Sequence, residues 1–258
     1  MTSVCRIARI ALLVLVASGP ASLGRAQSPE TLRLFDDGNR HYDNGEYGDA
    51  VKAYLRADST GFRSAALYYN LGNAYYRLDE IGLAVLSYER ALELDPDSRV
   101  ARHGLRIVRA RMMDQMSRLP TPIWVSTWRR VEAAVGLRGV VLAGLVLYLA
   151  ACALVLYRIL IGRHRVGVRR AAVVMFAVAI PLVIGGLTTS RYASTHPRCV
   201  VLDRTVSVRV APSRDAESDV DIHEGLVVTT LESDSAWYRV RLPNGVTGWV
   251  EASALEKI

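Results

Sequence analysis

Residues 139–157 are GVVLAGLVLYLAACALVLY and residues 171–190 are AAVVMFAVAIPLVIGGLTTS, two runs without a charged side chain. A helix of about 20 residues spans roughly 30 Å, the thickness of a bilayer's hydrocarbon core. The segment between the runs contains five arginines: Arg158, Arg163, Arg165, Arg169 and Arg170. A buried helix pair of a soluble protein is the alternative, but two such runs beside a basic turn favour a transmembrane hairpin. The sequence predicts transmembrane helices at 139–161 and 171–190, with a cytoplasmic turn at 162–170.

The N-terminus has the pattern of a secretory signal peptide. Arg6 and Arg9 precede the apolar run Ile10–Val16, and small residues follow up to Ala26. This order of basic, apolar and small residues is typical of export signals that are removed from the mature chain. We expect residues 1–26 to form the signal peptide, with an uncleaved anchor as the alternative.

The hairpin and the signal together predict an orientation. Export of the N-terminus places residues 27–138 outside the cytoplasm, and two crossings return residues 191–258 to the same side. The arginine-rich turn then faces the cytoplasm, as the positive-inside rule expects. Five more arginines flank the outer ends of the hairpin: Arg129, Arg130, Arg138, Arg191 and Arg198. The prediction is a bacterial inner-membrane protein with both soluble parts in the periplasm.

The net charge of +7 does not indicate a nucleic-acid surface. Residues 27–118 contain 13 basic and 14 acidic side chains, and residues 200–258 contain 6 and 10. The excess lies in the signal region and in residues 119–198, and the latter contain ten arginines and a single acid, Glu132. A basic excess confined to membrane-flanking segments argues for a membrane partner and against nucleic acid.

The cysteines and histidines predict neither a disulfide nor a metal site. Cys5 leaves with the signal peptide and Cys152 lies in the first apolar run, so Cys199 remains alone. The five histidines have no ligand-like spacing: His41, His103, His164, His196 and His223. We expect no cofactor.

An internal repeat with a period of 34 residues covers residues 31–98. Gly38, Ala50, Tyr54 and Ala57 recur as Gly72, Ala84, Tyr88 and Ala91. A repeat of this length indicates stacked helical hairpins, in which small residues let paired helices approach closely. The predicted repeats are 31–64 and 65–98, followed by a capping helix at 99–117, within a domain of residues 27–118.

The second copy, ALYYNLGNAYYRLDEIGLAVLSYERALELDPDS, resembles the tetratricopeptide repeat. The matching positions are Tyr68, Leu71, Gly72, Tyr75, Ala84, Tyr88, Ala91 and Pro96. The first copy departs from the pattern, with Leu34 at an aromatic position and Phe62 where the proline would stand. The resemblance implies an α-helical solenoid that binds partner proteins or peptides.

The same resemblance implies a groove lined by the first helix of each repeat. Its expected residues are Phe35, Asn39, Tyr42, Tyr69, Asn73 and Tyr76. Asn39 and Asn73 stand where some members hold the carboxylate of a peptide's C-terminus. Phe35 replaces the first lysine of that clamp, so a protein-binding groove without a clamp is the favoured interpretation. The alternative is that both asparagines follow the general repeat pattern.

Residues 119–138 predict an interfacial linker between the repeats and the membrane. Trp124 and Trp128 lie one helical turn apart, with Arg129 and Arg130 adjacent. Tryptophan and arginine together suit a short helix in the headgroup region. Packing of both tryptophans on the repeats is the alternative.

Residues 199–258 predict an all-β module. Apolar alternation indicates strands at 202–210, 226–231, 237–242 and 247–250, and Asn244-Gly245 indicates a hairpin turn. The module resembles bacterial SH3-like domains, on these features: Val208-Arg209, Pro212-Ser213, Glu224-Gly225, Trp237 and Gly248-Trp249-Val250. The resemblance implies a small barrel, with Trp237, Tyr238 and Trp249 as a possible ligand surface. Core packing of Trp249 is the alternative.

The order of parts resembles the BatE type of the Bacteroides aerotolerance (Bat) proteins. The predicted fold class is a multidomain membrane protein: a tetratricopeptide solenoid, a transmembrane hairpin and a C-terminal SH3-like barrel. The resemblance implies a scaffold acting beside von Willebrand A-domain membrane proteins and a MoxR-type AAA+ ATPase, in envelope stress or aerotolerance. The alternative function is peptidoglycan binding or wall sensing through the SH3-like domain. No acid–base or nucleophile cluster indicates an enzyme.

Overall fold

The computed structural model describes residues 29–114, 116, 127–128, 131, 135–161 and 166–258. The predicted signal peptide and most of the predicted linker lie outside the described residues. The chain divides into two compact units, Met1–Phe62 and Arg63–Ile258.

The first unit contains a helical hairpin made of α1 (Pro29–Asp43) and α2 (Tyr47–Ser59). Gly38 allows the two helices to approach, because a Cβ at this position would overlap the ring of Tyr54. The Tyr54 hydroxyl donates a hydrogen bond to Oδ1 of Asn39 at 2.9 Å. The glycine and the tyrosine of the 34-residue period therefore form the contact that holds this hairpin together.

The second unit begins with α3 (Ala65–Arg77), α4 (Ile81–Leu94) and α5 (Arg99–Arg109). Gly72 lies against the ring of Tyr88, whose nearest atoms would be only 2.9 Å from a Cβ at this position. The Tyr88 hydroxyl donates to Oδ1 of Asn73 at 2.6 Å. The contact of the first hairpin is thus repeated 34 residues later, and this repeated contact explains the 34-residue period in the sequence.

The helix after the second repeat is shorter than the predicted span of 99–117. It ends at Arg109, and the chain turns through Ala110 and Arg111. Beyond the turn, Met112 packs in two hydrophobic clusters, and a carboxylate oxygen of Asp114 accepts a hydrogen bond from the backbone N–H of His223 at 2.6 Å. The helix stops because this segment contacts the C-terminal module, a contact that the local sequence pattern does not contain.

Two long helices follow, α6 (Leu137–Ile161) and α7 (Val166–Thr195). By length and composition, Gly139–Leu160 and Val166–Thr189 are able to cross a membrane. Only 17% of the most apolar window of each is buried. The helices pack where Gly144 of α6 meets Leu182 and Val183 of α7.

The C-terminal module is a seven-stranded antiparallel sheet within the described residues. Its strands are β1 (Arg198–Val201), β2 (Thr205–Arg209), β3 (Ser218–His223), β4 (Val227–Asp234), β5 (Trp237–Arg241), β6 (Thr247–Glu251) and β7 (Leu255–Lys257). The strand order is β3-β2-β6-β5-β4-β1-β7. Its core includes Val208, Val228, Val240 and Val250, each no more than 1% exposed.

The strand pattern differs from the prediction for four strands. β2 begins at Thr205 rather than residue 202, and β1, β3 and β7 were not predicted. β3 has only two apolar residues, Val220 and Ile222, in alternation with its acids, and β7 has three residues, so each pattern is too short to indicate a strand. The Asn-Gly hairpin is present, with Gly245 at a φ of +93°. The predicted fold class, with helical repeats, two apolar helices and an all-β module, is confirmed.

The C-terminal module packs directly on the second repeat. Val200 of β1 joins a hydrophobic cluster with residues of α4 and α5, among them Val85, Leu105 and Val108. At Gly82 a Cβ would lie 3.0 Å from the backbone oxygen of Val201, so only glycine fits without displacement. The repeat and the module therefore share one buried core.

The close approach at Gly82 gives a test of this interface. We expect Gly82→Leu to lower the free energy of unfolding by about 2 kcal/mol, because the side chain meets backbone that cannot rotate away. Gly48 occupies the equivalent position of the first repeat and has no atom within 4 Å of a Cβ. Gly48→Leu is therefore the matched control, and its better helix propensity gives a gain of up to about 0.8 kcal/mol. Thermal unfolding of the full-length chain in detergent measures both, and equal effects would contradict the interface.

Candidate interaction surfaces

Three predicted groove residues lie on α1. The ring of Phe35 is 5.9 Å from that of Tyr54, centroid to centroid. Asn39 accepts the hydrogen bond from the Tyr54 hydroxyl, and Tyr42 meets the ring of Tyr47 edge-on at 5.3 Å. All three predicted residues are half-buried, so each holds its conformation through contacts inside the hairpin and still presents part of its side chain.

The other three predicted groove residues lie on α3. Tyr69 and Tyr88 have ring centroids 6.0 Å apart, and Asn73 accepts the hydrogen bond from Tyr88. The guanidinium carbon of Arg111 lies 4.6 Å above the centroid of Tyr76, a cation–π contact. Tyr69, Asn73 and Tyr76 are also half-buried.

Asn39 and Asn73 have a role inside their own repeats. In each case the carboxamide oxygen accepts a hydrogen bond from a tyrosine on the second helix of the same hairpin. This bond joins the two helices and gives asparagine a reason to occur at this spacing without any ligand. Substitution of either asparagine therefore disturbs the repeat itself, which makes the tyrosines better probes of binding.

A buried carboxylate connects the second repeat to the sheet. Glu89 of α4 has a side chain that is 7% exposed. It accepts from Arg109 of α5 at 2.5 Å and from Arg198 of β1 at 3.1 Å. Arg198 also reaches Glu93 at 3.3 Å. A carboxylate in this position stabilises the fold as long as both arginines remain, because an unpaired buried charge is costly.

Further polar contacts join the helical region to the sheet. Arg90 of α4 donates to a carboxylate oxygen of Glu256 at 2.9 Å and to the backbone oxygen of Lys257 at 2.7 Å. The other carboxylate oxygen of Asp114 lies 3.0 Å from Nδ1 of His223. In each contact, one residue precedes the hairpin of α6 and α7 in the sequence and the other residue follows it.

Trp128 contacts α7 near the end of the second apolar run. Its indole N–H donates to the hydroxyl of Thr189 at 3.1 Å, and its ring lies against Gly185. Thr189 is the last residue of the apolar span Val166–Thr189, and tryptophan is enriched at the ends of such spans in membrane proteins. Trp124 lies outside the described residues.

The three aromatic residues predicted for the SH3-like ligand surface do not share one face. Trp249 is paired across the sheet with Arg209 on β2 and Arg239 on β5, and Trp237 is a diagonal neighbour on the same face. Tyr238 points the other way and packs against the hydrophobic core. Trp249 is half-buried and lies outside that buried cluster. The outer face therefore carries two tryptophans and two arginines, without Tyr238.

The thiol of Cys199 is buried in the sheet. Burial raises the pKa of Cys199, and a hydrogen-bond contact with the Thr230 hydroxyl at 3.3 Å partly opposes the rise. A thiol held protonated in this way is a poor nucleophile and a poor metal ligand. Among the described residues, no group of three or more His, Cys, Asp or Glu side chains is arranged to hold a metal ion.

Two family models match parts of the chain. Residues 65–98 match the tetratricopeptide repeat model, and residues 203–257 match the model of the bacterial SH3 domain. The chain thus contains a tetratricopeptide repeat and a bacterial SH3 domain, both of which are typically non-catalytic interaction modules. No curated protein sequence matches the chain.

Solved structures of tetratricopeptide proteins show limited similarity. The first TPR of Spaghetti (RPAP3), bound to the HSP90 peptide SRMEEVD, is 22% identical, covers 32% of this chain and 93% of its own, and has a TM-score of 0.23. The Sgt2 TPR domain from Aspergillus fumigatus is 16% identical, covers 68% of this chain and 87% of its own, and has a TM-score of 0.32. MamA is 20% identical, covers 65% of this chain and 85% of its own, and has a TM-score of 0.31. These scores are too low to support conclusions about function.

The residues that join the repeat to the sheet were missed at the sequence level. Gly82 repeats Gly48 at the period of 34, so its spacing gives no sign of a special contact. Glu89 and Arg198 are 109 residues apart, and nothing in either local pattern indicates that they meet. The one available signal of this contact was Glu89 itself, a charged residue on the apolar helix α4.

Removal of the buried carboxylate gives the second prediction. We expect Glu89→Gln to lower the free energy of unfolding by about 3 kcal/mol, because two arginines lose their shared partner. Glu93→Gln is the matched control: this side chain is 48% exposed and its ion pair is with the half-exposed Arg198, so the expected loss is about 0.5 kcal/mol. Urea unfolding of the full-length chain in detergent compares the two. Equal losses would show that the burial of Glu89 is not important.

Proposed function

We propose that the protein is a membrane-anchored scaffold that binds partner proteins through its tetratricopeptide repeats. The observation that carries the proposal is that the two helices of the second repeat differ in what covers them. The SH3-like module covers α4, while Tyr69 and Tyr76 of α3 remain half-exposed. The proposed contact residues are those of the predicted groove: Phe35, Asn39, Tyr42, Tyr69, Asn73 and Tyr76.

The membrane anchor in this proposal is the hairpin of α6 and α7. Low burial supports it, because a core helix of a soluble protein of this length would be mostly covered. The contact between Glu89 and Arg198 also supports it, since two crossings return the chain to the side on which it started. The signal-like N-terminus and the bacterial SH3 domain favour the periplasmic face of the inner membrane for both soluble parts.

The proposed partners come from the resemblance in architecture to the Bat proteins. Repeats, a hairpin and an SH3-like module occur here in the order that the BatE type shows. On this basis the scaffold assembles von Willebrand A-domain membrane proteins with a MoxR-type AAA+ ATPase system in envelope stress or aerotolerance. The buried thiol of Cys199 favours a role in assembly over direct oxidant chemistry, and the proposal includes no catalytic activity.

Crosslinking from the two equivalent tyrosines tests the scaffold. A photo-crosslinking residue at Tyr42 or Tyr76, in cells of the source organism, is expected to capture A-domain or AAA+ proteins. Leu94, which is 48% exposed at the end of α4, is the control position and should capture neither. We further expect Tyr76→Ala to lower co-purification of the partner about tenfold, as for a tyrosine hot spot. Equal capture from Leu94, or unchanged co-purification, would contradict the proposed surface.

A second candidate function is peptidoglycan binding or wall sensing through the SH3-like module. The observation in its favour is the outer face of the sheet, where Trp237 and Trp249 lie beside Arg209 and Arg239. Aromatic side chains beside cations suit a ligand that offers both apolar groups and carboxylates, as wall peptides do.

Retention on purified sacculi tests this second function. The whole chain in detergent is used, because the module shares a buried core with α4. We expect Trp237→Ala to reduce retention at least about fivefold, because an aromatic anchor is lost. Tyr238→Phe is the control, since this neighbour faces the core and keeps its packing. No retention of the wild-type chain would rule the function out.

A further inference from the structure

A cleft lies between α6 and α7 at the end of the hairpin next to the arginine-rich turn. Its volume is about 540 Å³. Leu154, Val155 and Ile159 line it from α6, and Val173 and Phe176 line it from α7. The proposed scaffold function gives this cleft no role.

The walls of the cleft are apolar and open to the surroundings. Residues spaced by three or four positions share one face of a helix, as Val155 and Ile159 do on α6 and Val173 and Phe176 do on α7. Ile159 is 71% exposed and Val173 is 58% exposed. In a membrane-spanning hairpin such a wall faces the hydrocarbon of the bilayer. A lipid acyl chain has the shape and the apolar character to occupy the cleft.

The rim of the cleft is cationic. Arg158 of α6 and Arg169 of α7 belong to its lining. The sequence contains no aspartate or glutamate between Glu132 and Asp203, so no carboxylate of either membrane helix is able to neutralise these arginines. Cations this close to the hydrocarbon need a counter-charge, and a lipid phosphate at the headgroup depth supplies one.

We propose that the cleft binds an anionic phospholipid, with one acyl chain along Leu154, Ile159 and Val173 and the headgroup phosphate between Arg158 and Arg169. Guanidinium groups suit this task because their fork of N–H donors matches phosphate oxygens. The inference rests on the proposed membrane-spanning placement of the hairpin.

Native mass spectrometry of the full-length chain in detergent tests the site. The probes are phosphatidylglycerol and phosphatidylcholine with the same acyl chains, and phosphatidylglycerol is expected to bind more tightly. We expect Arg158→Gln and Arg169→Gln each to weaken its binding about fivefold, and Arg170→Gln, a neighbour outside the lining, to change it less than about twofold. Equal affinity for the two lipids, or an equal effect of Arg170→Gln, would overturn the proposal.

A second pair of variants tests the apolar wall. Val173→Phe fills the cleft from an exposed position and should reduce the binding of both lipids. Val174→Phe makes the same change at a position that is 61% exposed and outside the lining, and should leave binding unchanged. Competition with inorganic phosphate separates a lipid site from a site for free phosphate. Displacement of phosphatidylglycerol by phosphate alone would overturn the lipid assignment.

Carbonate extraction of membranes separates failure of this inference from failure of the anchor. If the protein is released, the hairpin does not span the bilayer and the lipid site is overturned with it. If the protein stays in the membrane but shows no preference for phosphatidylglycerol, the lipid site alone is overturned. Circular dichroism of each variant confirms that a loss of binding does not reflect unfolding.

Discussion

The packing of β1 on α4 is the constraint on which the organisation of the second unit depends. Glu89 lies before the hairpin in the sequence and Arg198 lies after it, yet the buried carboxylate of Glu89 meets the half-exposed Arg198 at 3.1 Å. A hairpin that crosses a bilayer twice brings the chain back to its starting side, whereas a single crossing would separate these two residues. The contact between Glu89 and Arg198 is therefore consistent with the proposed double crossing.

The same contact changes how the end of the repeat array is understood. Helical repeats need a cap that covers the apolar face of the last hairpin. The sequence assigned that role to one long helix, but α5 stops at Arg109 and the sheet supplies the rest of the cover. Because α4 is covered in this way, the proposed scaffold function assigns partner binding to α3, the first helix of the second repeat. The SH3-like module thus acts first as a structural part of the repeat domain.

The sequence predicted what depends on local periodicity. The 34-residue period corresponds to one glycine–tyrosine contact in each hairpin, and the Asn-Gly turn joins β5 to β6. It did not predict contacts between distant segments, since Gly48 and Gly82 are alike in sequence and differ only in what packs on them. The grouping of Trp237 with Tyr238 was avoidable, because adjacent residues of a strand point to opposite faces. Strand parity alone would have removed Tyr238 from the ligand surface.

Five arginines lie at each end of the hairpin, and those whose side chains the structure describes differ in environment. Arg198, after the second helix, forms ion pairs with Glu89 and Glu93 and belongs to the folded soluble unit. Arg158 and Arg169, at the turn, lie in a stretch of 70 residues, from 133 to 202, that contains no acid. In the proposed membrane topology, a count that treats all arginines alike therefore understates the asymmetry between the two sides. The charge of Arg198 is taken up by ion pairs, whereas Arg158 and Arg169 keep theirs for lipid phosphates.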